Sequence, residues 1–284
     1  MAPLRLFDVL ASARQRLTAA GIQPAEAAID VDLYARTILG WDRARLLSEQ
    51  QREAPAELEP RFSQWLARRE RREPTAYIVG HREFWGLDFV VTPAVLIPRP
   101  ETELIVEEAL QALPSGPARV ADVGTGSGCV AVALAHERPE WQLVATDIST
   151  LALDVARVNT TRHGVADRLQ LIATAYLDGV GGTFNLITAN PPYVKDRDRP
   201  GLAPDVRHEP AVALFGGDHG LRDIGGVLDA AAAKLMRGGF LVMEFGYGQE
   251  DDVRALTAQR SGLAVDRVRA DLQGIARTAI IRRQ

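Results

Sequence analysis

Val120-Ala121-Asp122-Val123-Gly124-Thr125-Gly126-Ser127-Gly128 is the stretch that decides the fold. It reads as a short apolar strand running into a glycine-rich turn. Cys129 to His136 then reads as a helix. Glycines at such a strand–helix junction let the backbone approach a ligand closely. Outward from it the alternation continues. Arg119 to Val123 is a predicted strand, Gln142 to Thr146 a strand, and Leu151 to Thr161 a helix. Leu169 to Ala173 and Phe184 to Ala189 follow as strands, Leu221 to Met236 as a helix, and Phe240 to Phe245 as a strand. Such alternation predicts an α/β fold with a parallel sheet covered on both faces. The end differs: Leu263 to Val268 and Arg277 to Ile281 are separated by a short loop, which predicts one antiparallel strand.

The chain before this region is of another kind. Leu6, Leu10 and Leu17 form a helical stripe that Gly21 ends, and a second helix starts at Pro24 and stops at Gly40. A third helix is expected from Pro55 to about Arg72, and the charge run Arg68-Arg69-Glu70-Arg71-Arg72-Glu73 reads as a solvated face. From Ala76 to Ile97 the apolar residues come in short runs, Tyr77 to Val79, Phe84-Trp85 and Leu87 to Val91, broken by Gly80 and Gly86. These suggest strands and a hairpin linker. Glu101-Thr102-Glu103 then opens a helix through about Leu113.

Composition sets bounds on function. The chain has 284 residues, 46% apolar and 25% charged, as in an ordinary globular protein. The formal net charge of -4 argues against a broad basic face for naked nucleic acid. The single cysteine, Cys129, allows no intrachain disulfide and fits a reducing cytoplasm. No long apolar run predicts a membrane span, and the first residues do not resemble a signal peptide. His81, His136, His163, His208 and His219 lack metal-ligand spacing, so no metal is expected. Cys129 reads as a small buried residue, not a nucleophile.

The glycine spacing is G-x-G-x-G, which is neither the dinucleotide pattern G-x-G-x-x-G nor a Walker loop. Asp147 ends the next strand, where a carboxylate can accept both hydroxyls of a ribose. Loop and acid together suit a ligand with a ribose and no pyrophosphate, and S-adenosylmethionine is such a ligand.

Asn190-Pro191-Pro192-Tyr193 follows the Phe184 to Ala189 strand. In an open α/β sheet ligands bind beyond the carboxyl ends of the strands, so this segment belongs at the site by topology. The two prolines stiffen the turn and leave carbonyls that no helix uses. The Asn190 side-chain oxygen and the Pro191 carbonyl can accept the two N–H bonds of a substrate NH2 group. That holds the nitrogen with its remaining direction toward a methyl donor and favours the positive charge that develops on it. Tyr193 can stack on a planar group.

Pro98-Arg99-Pro100-Glu101-Thr102-Glu103, the glycine loop and Asn190 to Tyr193 together resemble the HemK/PrmC family, along nearly the whole chain and including the Asp271-Leu272-Gln273-Gly274 ending. Members of that family methylate the glutamine of the Gly-Gly-Gln motif in peptide chain release factors. The resemblance implies a Rossmann-like, seven-stranded class I methyltransferase domain over 99–284. A helical substrate-recognition domain over 1–73 and a β-hairpin linker over 74–98 would precede it. It implies S-adenosylmethionine as cofactor, contacted by Gly124, Thr125, Gly126, Ser127, Gly128, Asp147, Tyr176 and Asn190. Asn190, Pro191, Pro192 and Tyr193 would hold the glutamine, with Asn190, Pro191 and Tyr193 in the catalytic role. Release factors would be the partners, ribosomal RNA entering only indirectly. One departure concerns the adenine. Family members often carry an acid and then an aromatic after the third strand, whereas this chain has Ala175-Tyr176, with Asp178 nearby.

Three other readings compete. An N-methyltransferase acting on adenine in DNA or guanine in ribosomal RNA would use the same motif on a flipped base. The acidic balance and the Pro98 to Glu103 segment disfavour it. A cofactor-binding regulator without turnover is disfavoured by the intact Asn190 to Tyr193, and a dehydrogenase by the glycine spacing. Glu244, ending its strand, reads as a structural polar residue of the cleft. The long loop from Val194 to Gly217, with Arg207 and Glu209, is expected to shape the substrate entrance.

Overall fold

The computed structural model describes residues 4–284. They divide into two compact units, one comprising the chain up to Gly80 together with Ala203–His208, the other His81–Leu202 with Glu209–Gln284.

The first unit is helical: α1 (Leu6–Ala19), α2 (Pro24–Leu39), α3 (Arg43–Glu49), α4 (Arg61–Glu70) and α5 (Thr75–Val79). Leu6, Leu10 and Leu17 of α1 are buried with Val31, Tyr34, Phe62 and Trp65. Tyr34 and Trp65 meet edge to face at 5.4 Å. Gly40 ends α2 in the left-handed conformation, φ 65°, as its position after the apolar run suggests.

Three local expectations fail here for identifiable reasons. The third predicted helix is interrupted, because Pro60 forces Glu59 into extended backbone (ψ 151°), so that α4 starts only at Arg61. Tyr77 to Val79 are helical, not extended: five residues after Pro74 bury Tyr77 and Ile78 and end at Gly80, φ 86°. The charge run is not wholly a solvated face. Arg69 is buried, donating to Asp30 Oδ2 at 2.7 Å and Asp205 Oδ2 at 2.7 Å, and pairing also with Glu26. A buried guanidinium needs such partners.

The second unit opens with an antiparallel hairpin, β1 (His81–Phe84) and β2 (Leu87–Val90). Then come α6 (Glu103–Ala112), β3 (Arg119–Val123), α7 (Cys129–Glu137), β4 (Gln142–Asp147), α8 (Thr150–Arg162), β5 (Leu169–Ala173) and β6 (Phe184–Ala189). After α9 (Ala211–Leu214) and α10 (Arg222–Lys234) come β7 (Leu235–Glu244), α11 (Glu250–Ala258), β8 (Leu263–Ala270) and β9 (Ala276–Arg283). The seven-stranded sheet has the order β5-β4-β3-β6-β7-β9-β8, with β9 antiparallel to both neighbours. This is the Rossmann-like arrangement. β7 begins at Leu235 rather than Phe240, because Leu235 is buried beside Phe184 ahead of the Gly238-Gly239 interruption.

Alternation along β3 divides the core. Val120 faces the cluster that includes Ile105 of α6 and Leu134 of α7, and Ala121 faces Ile224 of α10 and Val253 of α11. Asp122, on the same face as Val120, is buried. Its Oδ2 accepts from Thr125 Oγ1 at 2.7 Å and its Oδ1 from Thr188 Oγ1 at 2.7 Å. The carboxylate therefore ties the glycine turn to β6, while the Gly124 and Thr125 amides both donate to Thr146 O of β4 at 2.9 Å.

Burial pushes the Asp122 carboxyl up to about 6, against the two hydroxyl donors that favour its charge. With the folded value raised, its stabilising contribution is complete below the unfolded value, about 3.9, and is lost as pH rises through about 6. Asp122→Asn removes this titration. The variant is expected to gain about 3 kcal/mol relative to the parent between about pH 4 and about pH 7. Denaturant unfolding across that range measures it, and a pH-independent difference would contradict the assignment.

Candidate active site

β3, β4 and β6 end level with one another: Val123 is opposite Thr146 on one side and Ala189 on the other. The residues just beyond are the glycine turn, Asp147 and Asn190, so residues distant in sequence arrive together at the carboxyl edge. They line one cavity, with Thr174–Tyr176 and Asn190–Pro192 in its wall.

Gly124, Gly126 and Gly128 have φ of 71°, 56° and 81°. A Cβ on Gly128 would lie 3.3 Å from Ala156 Cβ of α8, so this glycine also permits close helix packing. The Thr125 hydroxyl is committed inward to Asp122. Ser127 Oγ is buried without a hydrogen-bond partner. Ser127 O accepts from Asn159 Nδ2 at 2.8 Å, and the same carboxamide exchanges bonds with the Val90 N–H and carbonyl at 2.8 and 3.0 Å. Asn159 thus joins the glycine turn to the hairpin.

Asp147 accepts from the Gly126 amide at 2.9 Å and the Ser149 amide at 2.9 Å, one on each oxygen. Each oxygen keeps a further lone pair. Burial raises the Asp147 pKa, opposed by these amides.

Tyr176 follows β5 with φ 47°, which is uncommon for a residue with a side chain. Its carbonyl accepts from Thr146 Oγ1 at 2.6 Å and its phenol donates to Asp223 Oδ1 at 3.1 Å. The ring lies on Gly226 of α10, where a Cβ would fall 2.1 Å from Tyr176 Cζ. Ala175 brings no polar side chain, and Asp178 is exposed. The carboxylate in this corner is Asp223, which its sequence position did not suggest.

Asn190 is held from the far side of the chain. Its Nδ2 donates to Thr102 Oγ1 at 3.0 Å. Thr102 Oγ1 donates to Glu244 Oε2 at 2.8 Å, and Tyr193 OH to Glu244 Oε1 at 3.0 Å. Glu244 and Thr102 are buried. Burial raises the Glu244 pKa, opposed by the two hydroxyl donors. Burial also raises that of the Tyr193 phenol, helped by the adjacent Glu244. Asn190, Pro191 and Pro192 face the cavity, whereas the Tyr193 hydroxyl is taken up by Glu244.

The chain after the motif folds back onto it. A Cβ on Gly216 would lie 2.4 Å from Pro192 O, and one on Gly220 2.1 Å from Tyr193 O. Val212 and Ala213 line the cavity. Buried Glu209 pairs with Arg99 and accepts from the Ile97 amide at 3.0 Å. The loop is thus anchored to the Pro98-Arg99-Pro100 segment. Thr102, Asn159 and Asp223 are the site residues that sequence patterns passed over.

Cys129 is buried, which pushes its thiol up to about 12. Among the described residues no group of three or more His, Cys, Asp or Glu side chains is placed to hold a metal ion. No described helix is long and apolar enough to cross a membrane.

Comparison with known proteins bears on both units. The family described as PrmC N-terminal domain matches residues 8–80, and that described as methyltransferase small domain matches residues 102–208. Among solved structures, a ribosomal protein L11 methylase from Lactobacillus delbrueckii subsp. bulgaricus is similar with a TM-score of 0.51 at 21% identity. It covers 68% of this chain and 84% of its own, a likeness of fold alone. A release factor glutamine methyltransferase of Bradyrhizobium diazoefficiens is 40% identical over 96% of this chain and 94% of its own. One of Nitratidesulfovibrio vulgaris is 41% identical over 98% of this chain and 95% of its own. With that identity sustained across both units, the chain belongs to the release factor glutamine methyltransferase family.

Proposed function

We propose that this chain transfers a methyl group from S-adenosylmethionine to the side-chain amide nitrogen of the glutamine in the Gly-Gly-Gln motif of peptide chain release factors. The observation that carries the reading is the placement of the Asn190 carboxamide and Pro191 in the wall of the cavity that also holds the glycine turn and Asp147. The names of the relatives favour a glutamine acceptor over a nucleic-acid base.

The residues fit the cofactor. Asp147 keeps unused lone pairs toward the cavity for the ribose hydroxyls. Ser127 lines the same cavity. The positive φ values of Gly124 and Gly126 open the turn with no side chain in the way. Tyr176, pinned by Asp223 and Gly226, bounds the end of the cavity where the adenine fits. When bound, S-adenosylmethionine supplies a sulfonium-borne, electrophilic methyl group.

The protein's part is to present a poor nucleophile. An amide lone pair is delocalised into its carbonyl, so the nitrogen needs orientation and stabilisation of its developing charge. Asn190 Oδ1 and the Pro191 carbonyl accept its two N–H bonds and hold it. The proton that the methylated nitrogen sheds passes to water. Pro191 and Pro192 form the stiff side of the glutamine slot, backed by Tyr193, whose hydroxyl is held by Glu244, and the Val194 to Gly217 loop forms its entrance. The helical region before the hairpin recognises the release factor.

Two substitutions separate binding from chemistry. Asp147→Ala is expected to weaken S-adenosylmethionine binding by about 1.5–3 kcal/mol, the range for hydrogen bonds to a charged group. Unchanged affinity in calorimetry of the folded variant would sink the ribose assignment. Asn190→Ala is expected to slow single-turnover methylation of a release factor roughly 10²–10³-fold, with a much smaller change in cofactor affinity. A near-normal rate under saturating cofactor would contradict the proposed role of Asn190.

A further inference from the structure

A carboxamide has two ends of nearly the same shape and opposite chemistry. Only one orientation of Asn190 presents an acceptor to a substrate NH2 group. The other points its own NH2 into the cavity and repels the substrate nitrogen's hydrogens. The backbone of the motif does not choose between them, because both ends fit the same space.

The choice is made by a relay of hydrogen bonds behind the cavity wall, reached through Thr102, which borders the cavity. Glu244, when ionised, has no proton to give and accepts from two hydroxyls, one at each oxygen: Thr102 at 2.8 Å and Tyr193 at 3.0 Å. Thr102 has one hydroxyl proton, and it is spent on Glu244. Its oxygen can then only accept from Asn190, which must turn its Nδ2 that way, at 3.0 Å. Oδ1 is left for the cavity. The relay spans three segments: Thr102 in the turn before α6, Asn190 and Tyr193 after β6, and Glu244 at the end of β7. Thr102 and Glu244 are both buried, so water does not compete for these bonds.

We infer that Thr102 and Glu244 are positioning residues, which fix the direction of the Asn190 carboxamide so that its oxygen faces the substrate nitrogen. The inference rests on the proposed role of Asn190 and deepens it. Glu244 does not line the cavity, and Thr102, which borders it, is 3% exposed and has its hydroxyl taken up by Glu244 and Asn190. Glu244 acts through Thr102, and Thr102 through Asn190. The same carboxylate fixes the Tyr193 phenol, so both side chains flanking the two prolines are set by one acceptor.

The test is steady-state methylation of a release factor by the full chain, with Thr102→Val, Thr102→Ser and Glu244→Gln alongside the parent. Valine keeps the shape of threonine and removes the hydroxyl, whereas serine keeps the hydroxyl. Thr102→Val is expected to lower kcat roughly tenfold, the equivalent of one hydrogen bond, with cofactor affinity and KM for the release factor within about twofold of the parent. Thr102→Ser is expected to restore most of kcat. Glu244→Gln, with a neutral acceptor in place of the carboxylate, is expected to lower kcat in the same direction. A kcat for Thr102→Val within about twofold of the parent overturns the inference. So does a loss of cofactor affinity that serine fails to rescue, because that marks Thr102 as merely structural. If Glu244→Gln does not fold, the valine and serine pair decides alone. A parent chain inactive on every release factor sinks the functional reading itself, whereas an active parent with an unaffected Thr102→Val removes only the relay.

Discussion

The site depends on one buried carboxylate. Asp122 sits on the central strand of the parallel region and is bonded by Thr125 of the glycine turn and Thr188 of the neighbouring strand. Those two bonds hold the turn against β6, and the paired amides on Thr146 O hold it against β4. The level ends of β3, β4 and β6 then bring the turn, Asp147 and Asn190 to one edge. A carboxylate in so dry a place opposes its own ionisation. The fold keeps it because two hydroxyls and a strand register converge on it, and the geometry of the cavity follows from that convergence.

A second level of order surrounds the first. Asp147 is set by the Gly126 and Ser149 amides, the Tyr176 backbone by Thr146, and Asn190 by Thr102 and Glu244. Asp147, Tyr176 and Asn190 are each held by a hydrogen bond from another segment. Transfer of a methyl group to an amide needs no covalent enzyme intermediate, so alignment carries much of the rate. A cleft with its polar groups fixed beforehand meets that requirement, since nothing must reorganise as charge develops on nitrogen.

Legibility in the sequence followed contiguity. The strand-turn Val120 to Gly128, the acid at the end of the next strand and the Asn190 to Tyr193 run are unbroken segments, and topology alone brings them together. The single antiparallel strand at the end was readable from the short link between Leu263 to Val268 and Arg277 to Ile281. What escaped depends on distant partners. Arg69 sits in a charge run that any local reading places in water, and only Asp30 and Asp205, 39 and 136 residues away, bury it. Thr102 and Glu244 are 142 residues apart, and neither carries a local mark of its pairing. Tyr77 to Val79 show the opposite failure: three apolar residues in a row carry no period, and the flanking Pro74 and Gly80 settled the helix. At the corner where the sequence led one to expect the adenine, Ala175 offers no acid, and the tertiary fold instead brings Asp223 from α10 to the neighbouring Tyr176.

The most direct measurement is fragment-level mass spectrometry of a release factor after incubation with the full chain and isotopically labelled S-adenosylmethionine, with DNA and ribosomal RNA present as competing acceptors. One labelled methyl group on the glutamine of the Gly-Gly-Gln motif, and none on the nucleic acids, is the expected result. Label on an adenine or guanine base, or none on that glutamine, would contradict the function assigned to Asn190 and its cavity.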